Sequence, residues 1–149
     1  MLVPCTFPMI EQKRCAPKTW PCPVCGRRGR RERTRTRKVR HLAQGCEAWW
    51  EVTVGVYRAQ CGCCRQVMRK AGDRVMPVRK RVKYFTSPVE GVGPGADHTD
   101  AVRRKVVDLV VRDRLTNDQV IAHLQEDFHL PISVGFIYNC LDRAQKRAA

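Results

Sequence analysis

Two cysteine pairs with the same internal spacing constrain this chain more than any other feature: Cys22-Pro-Val-Cys25, followed by Gly26, and Cys61-Gly-Cys-Cys64. A gap of two residues lets both thiolates of a pair point at one ion, with backbone N–H groups turned towards the sulfurs. Two such knuckles brought together make a tetrahedral four-thiolate site with no open position, which is structural and not catalytic. The ion then contributes folding free energy that a segment this short and this charged lacks. The expected cofactor is Zn2+, held by Cys22, Cys25, Cys61 and Cys64. Cys63 is an alternative to Cys64, but only Cys64 reproduces the spacing of the first pair. The same residues also admit an iron site, a redox pair or a set of incidental buried cysteines. Thioredoxin-type chemistry needs a single C-x-x-C at a helix N-terminus in a βαβ pattern, and the sequence has none.

The residues between the two pairs predict how they meet. In "AWWEVTVGVYRAQC" (48–61), Trp50, Val52, Val54 and Val56 fall on one face, and Trp49, Glu51, Thr53 and Tyr57 on the other. Period two with β-branched and aromatic residues is a strand. "RTRTRKVRHLA" (33–43) is its expected partner, with "QGCE" as the turn, so a hairpin links the knuckles. Four segments follow from the composition: an N-terminal arm over 1–18, a zinc ribbon over 19–70, a basic linker over 71–98 and a helical domain over 99–149. The linker ends in "SPVEGVGPGADH", where glycine and proline fill four of the five positions from Gly91 to Gly95, and is expected to be flexible.

Helical periodicity takes over after Thr99. Val102, Val106, Leu109 and Val110, with Val111 at the edge, form a stripe at three- and four-residue spacing, predicting a helix to about Arg114. Thr116 stands three residues before Gln119, a capping-box pattern that opens a second helix to about Asp127, with Val120, Ile121 and Leu124 inward. Pro131 breaks the chain and Ser133 caps a third helix, with Phe136, Ile137, Cys140 and Leu141 inward. The fold class expected is small α+β: a zinc-ribbon hairpin, a basic linker and a three-helix unit with the shape of a helix-turn-helix.

Charge points to the partner. Lys and Arg number 29 against 14 acids, a formal +15, which implies a polyanion: DNA, RNA or, less often, an anionic membrane. No run of eighteen apolar residues occurs, and "MLVPCTFPMIEQK" lacks the basic start of a secretory signal. Nine cysteines without such a signal predict an intracellular, cytoplasmic and nucleoid-associated protein whose thiols stay reduced. Cys5, Cys15 and Cys46 are expected to be free thiols, a second metal site with His41 being the weaker reading, and Cys140 a core residue.

The candidate nucleic-acid contacts fall in three groups. Arg28, Arg31, Arg33, Arg35, Arg37 and Lys38 lie in the first basic run, where guanidinium groups suit phosphate oxygens. Arg79, Lys80, Arg81 and Lys83 belong to "RVMPVRKRVKYF" (74–85), a segment suited to tracking a backbone or lying in a groove. Tyr138, Asn139 and Arg143 lie away from the apolar face of the third helix, and Asn suits adenine N6 and N7. The bland readings are a solvated basic face and an ordinary trihelical bundle. Asp142 sits on the same face and is ill suited to DNA.

The residues "CPVCG" (22–26), "VYRAQCGCC" (56–64) and "TDAVRRKVVDLVVRDRLTNDQVIAHLQEDFHLPISVGFIYNCLDRA" (99–144) together resemble the N-terminal half of bacterial insertion-sequence transposases. In those families a zinc-ribbon segment and helical segments recognise terminal inverted repeats, and an RNase-H-like domain with an Asp/Asp/Glu triad cuts and joins DNA using divalent metal. The resemblance spans about residues 20 to 145 and implies sequence-specific binding of double-stranded DNA. It carries over no catalytic residue, so the chain is expected to bind and not to catalyse. The expected states are a truncated transposase or a derived repressor or accessory factor, acting as a homodimer or with other transposition proteins. The competing expectation is an RNA-binding or ribosome-associated zinc-ribbon protein.

Overall fold

The computed structural model describes residues 7–60, 67–71, 74–78 and 84–148, and the protein is a small α+β chain. In order the elements are β1 (Met9–Cys15), β2 (Thr19–Pro21), β3 (Arg28–Ala43), β4 (Cys46–Arg58), β5 (Val67–Ala71), β6 (Arg74–Val78), β7 (Tyr84–Thr86), α1 (Asp100–Val111), α2 (Asn117–Phe128) and α3 (Val134–Ala148). One five-stranded sheet runs in the order β1-β4-β3-β2, with β7 also pairing with β4, and β5 pairs with β6. The chain divides into two compact units. The first holds Met1–Lys13, Lys38–Val52 and Glu90–Ala149, and the second Arg14–Arg37 and Thr53–Val89. β1, β3 and β4 contribute residues to both.

The first unit is built on the helices. Val102, Val106 and Leu109 of α1 are buried with Val120 and Leu124 of α2 and Ile137 and Cys140 of α3. Val110 packs at the edge of this cluster, whereas Val111 points outward, because each step along a helix turns the side chain on by about 100° and carries it past the core-facing stripe. The capping box forms as its spacing predicts: Thr116 Oγ1 accepts from the Gln119 N–H, and Gln119 Oε1 accepts from the Thr116 N–H. His129 ends α2 in the left-handed conformation, which delivers Leu130 into the core. Ser133 Oγ accepts from the Phe136 N–H at 3.2 Å and starts α3.

Strand residues complete this unit. Leu42 of β3 packs against the helical cluster. Arg40 receives and donates backbone hydrogen bonds with Thr99 and Asp97, each at 2.9 Å. Thr99 is fully buried at the N-cap of α1, yet its hydroxyl caps nothing, because it is held by His41 Nδ1 at 2.8 Å.

The glycine- and proline-rich stretch expected to be a flexible boundary is a packed loop. Val92 and Ala96 are buried, and the Asp100 N–H donates to Gly91 O at 2.8 Å. Gly91 adopts φ 89° with the Trp50 ring against it, where a Cβ would lie 2.8 Å from the indole. The glycines supply tight left-handed turns, and the small apolar residues between them are thereby turned inward.

In the second unit β2 pairs with β3 in a register that sets Trp20 opposite Gly29, and β7 pairs with β4, setting Phe85 opposite Tyr57. Of the face expected to point inward in β4, Val52 and Val56 are buried and Trp50 and Val54 half-buried, while Tyr57, expected on the other face, is fully buried. Both faces of the strand are covered at this point. The Tyr57 hydroxyl donates to Pro17 O at 2.7 Å, and its ring stacks on Phe85 with centroids 5.6 Å apart.

Three further expectations change. Met9–Cys15, expected to belong to an arm, is strand β1, and the linker stretch contains β6 and β7. Cys46, expected to be a free thiol, is disulfide-bonded. No other cysteine stands at a motif spacing from it, and only the folded chain decides which sulfurs meet.

Candidate nucleic-acid interface and cysteine pair

The first cysteine pair lies in the turn between β2 and β3. The Cys22 N–H donates to Arg27 O and the Gly26 N–H to Cys22 O, both at 2.9 Å. Gly26 takes φ 77°, a conformation that a side chain would strain. This closes the turn so that the Val24 N–H points at Cys22 Sγ, 3.4 Å away. Cys22 is buried in a cluster with Tyr57, Ala59 and Phe85, and Cys25 and Trp20 pack at its edge. Cys61 and Cys64, the expected second pair, and Cys63 lie outside the described residues. Among the described residues no three His, Cys, Asp or Glu side chains gather as a metal-binding group.

The first basic run is β3 itself, and its arginines have different surroundings. Arg28 Nε donates to Thr19 Oγ1 at 3.1 Å. Arg31 is half-buried and its guanidinium donates to Ala16 O, which ties it to the fold. Arg33 and Arg35 are exposed, and among the described residues neither forms an ion pair or side-chain hydrogen bond. Arg37 is half-buried and Lys38 exposed. The alternate positions carry Glu32, 4.0 Å from Arg58, and Thr36, hydrogen-bonded to Thr53 at 2.9 Å. Period two thus turns the acid of this run to the face opposite Arg33, Arg35 and Arg37. Arg79, Lys80, Arg81 and Lys83 lie outside the described residues.

On α3, Tyr138, Asn139, Asp142 and Arg143 are exposed, as are Val134 and Gly135 at its start. Two of these side chains are already engaged. Tyr138 Oη accepts from Asn117 Nδ2 of α2 at 3.3 Å. Asn139 Oδ1 accepts from Arg103 Nη1 of α1 at 2.9 Å. Arg103 was not among the expected residues, although it stands one position after Val102, on the flank of the α1 stripe. Its guanidinium also lies 5.2 Å from the Phe136 ring centroid and 3.9 Å from Cys140 Sγ. Burial pushes the Cys140 thiol up, against the pull of Arg103 and Arg143, so it stays protonated and serves as core.

Histidines report the same packing. Burial lowers His98, helped by Arg103 and Arg40 and opposed by Asp97, and its ring lies 4.1 Å from that of Phe136. Burial also lowers His41, against the pull of Glu11, beside a Trp50 ring 4.7 Å away. No helix among the described residues is long and apolar enough to cross a membrane. No protein-family model, curated protein or solved structure matches the chain.

Proposed function

We propose that the chain is a sequence-specific double-stranded DNA-binding module, made of a zinc ribbon and a helix-turn-helix, of the kind that recognises transposon ends. The observation that carries this reading is α3. One of its faces closes the helical core through Ile137 and Cys140, and its exposed face offers Tyr138, Asn139 and Arg143. A recognition helix must be anchored in this way, since base edges are read only if the side chains are held at fixed positions in the groove. The capped α2 and the left-handed turn at His129 hold α3 in place. The formal +15 supplies the sequence-independent attraction to phosphate.

Arg33, Arg35, Arg37 and Lys38 then grip the backbone, together with Arg28, Arg31 and the basic residues at 79–83. Zn2+ is proposed for Cys22, Cys25, Cys61 and Cys64, and the turn at Cys22–Gly26, with its N–H aimed at sulfur, fits one half of that site. The ion would hold the β3 arginines at a fixed angle and take no part in a reaction. No catalytic residue is assigned.

Selection of bound duplexes from a random pool is the test, followed by competition with single- and double-stranded RNA of equal length. A recurrent DNA site resistant to RNA competition is the result expected. Equal binding of any RNA with no favoured duplex would overturn the reading in favour of an RNA-binding ribbon.

A further inference from the structure

Between α1 and α3 lies a half-open cleft of about 480 Å3 that shares only Arg143 with the proposed DNA-reading face of α3. Its charge is one-sided: Arg103 and Arg104 of α1 and Arg143 and Arg147 of α3 line it, with Asp100 as the single acid, four positive groups against one negative. Among the described residues none of these arginines has a carboxylate within ion-pair distance. Arg143 and Arg147 stand at i and i+4 on one helix, an arrangement that repels. The Nε of Arg103 is buried without a hydrogen-bond acceptor, and a buried donor left so is costly. One anion in the cleft relieves both the one-sided charge and the repulsion between Arg143 and Arg147.

The remaining lining is apolar. Val107, Cys140, Ala144 and Ala96, with Gly93, form the inner wall. Bare phosphate has no use for such a wall. Clefts of about 300 to 1,000 Å3 with apolar walls and a few convergent polar groups are the ordinary form of small-molecule sites. Arginine is suited to the anionic end, since its planar fork binds phosphate oxygens bidentately.

We propose that the α1–α3 cleft binds a phosphorylated small molecule of nucleotide size, its phosphate on Arg104, Arg143, Arg147 and Arg103 and its body against Val107 and Ala144. Arg103 is fixed by Asn139 and Phe136, so one donor is in place before the ligand arrives.

The test is calorimetric titration of the full chain with AMP, adenosine and inorganic phosphate in about 0.15 M salt, where the long-range attraction of a basic surface is largely screened. Saturable 1:1 binding of AMP, at least tenfold tighter than that of phosphate or adenosine, is expected. Arg147→Gln, at an exposed position, should weaken AMP about tenfold or more while far-UV circular dichroism stays unchanged. Ala144→Phe fills the cleft without altering charge and should abolish binding. No saturable AMP binding, affinity equal to that of inorganic phosphate, or affinity indifferent to both substitutions would each overturn the proposal. Loss of duplex binding in Arg147→Gln without any AMP binding would assign these arginines to the DNA backbone and overturn it too.

Discussion

Gly29 shows how a single hydrogen in place of a side chain sets the packing of the second unit. A Cβ there would sit 2.7 Å from both the Arg58 carbonyl oxygen and the Phe85 ring, and the carbonyl cannot rotate away. Gly29→Ala is therefore expected to destabilise this unit by about 1–3 kcal/mol, the usual cost of overpacking, measured by denaturant titration followed by far-UV circular dichroism of the strand signal. A stability equal to the parent would mean that β7 does not lie where the structure puts it. On the DNA-binding proposal, specificity turns on Asn139. Its carbonyl is held by Arg103 at 2.9 Å, so the amide N–H2 is the part left to meet a base, while bidentate recognition of adenine needs both. Arg103→Gln should then change which base is selected beneath α3, whereas Asn139→Ala should cost about 1–3 kcal/mol of discrimination at one position. Sequence selection with each variant reads both. An unchanged consensus for both would remove α3 from the recognition surface.

At the scale of elements, α2 depends on its cap as well as on its packing. Its twelve residues, Asn117–Phe128, are short for a helix that must hold a neighbour in place. Thr116→Ala removes the acceptor for the Gln119 N–H and should cost about 1 kcal/mol. The loss should appear in thermal melts of the helical signal. Leu124, fully buried between α2 and the rest of the cluster, should cost about 2–5 kcal/mol when cut to alanine. The Cys22–Gly26 turn is the element through which zinc is proposed to act. A strong chelator is expected to release one equivalent of metal and to unfold the second unit while helical dichroism persists. Unchanged strand signal with no metal released would end the zinc assignment.

For the whole molecule, charge and burial set the dependence on conditions. Phosphate contacts release counterions, so the logarithm of the DNA affinity should fall linearly with the logarithm of salt concentration. Arg33→Gln and Arg35→Gln should each lower that slope by about one without altering the preferred site. Stability should depend on pH through His41 and His98. Both are held below the ordinary histidine value of 6.5, first by burial, so the folded first unit keeps them neutral. The unfolded chain then binds more protons as pH falls below 6.5, and the stability they lend is present above that value and lost beneath it. His98→Phe keeps the stack on Phe136 and should flatten the acid side of the stability profile, while a profile as steep as the parent's would place the titration elsewhere.

The local architecture of this protein is legible in its sequence. Thr116 and Gln119 mark the start of α2, Ser133 that of α3, and the alternation through Val52 and Val56 marks β4. Each of these signals is an interaction between residues a few positions apart, so its partner stands at a known offset. Gly26 after Cys25 is of the same kind. The tertiary structure decided what has no such offset. It brought Leu42 of a strand into the helical core, took the Thr99 hydroxyl from its helix cap to His41, and bonded Cys46 into a disulfide. It also folded the glycine-rich stretch against Trp50 and gathered arginines of α1 and α3 around one cleft. These depend on which distant segments meet when the chain closes, and that choice belongs to the packing of the whole core, which no short window of sequence contains.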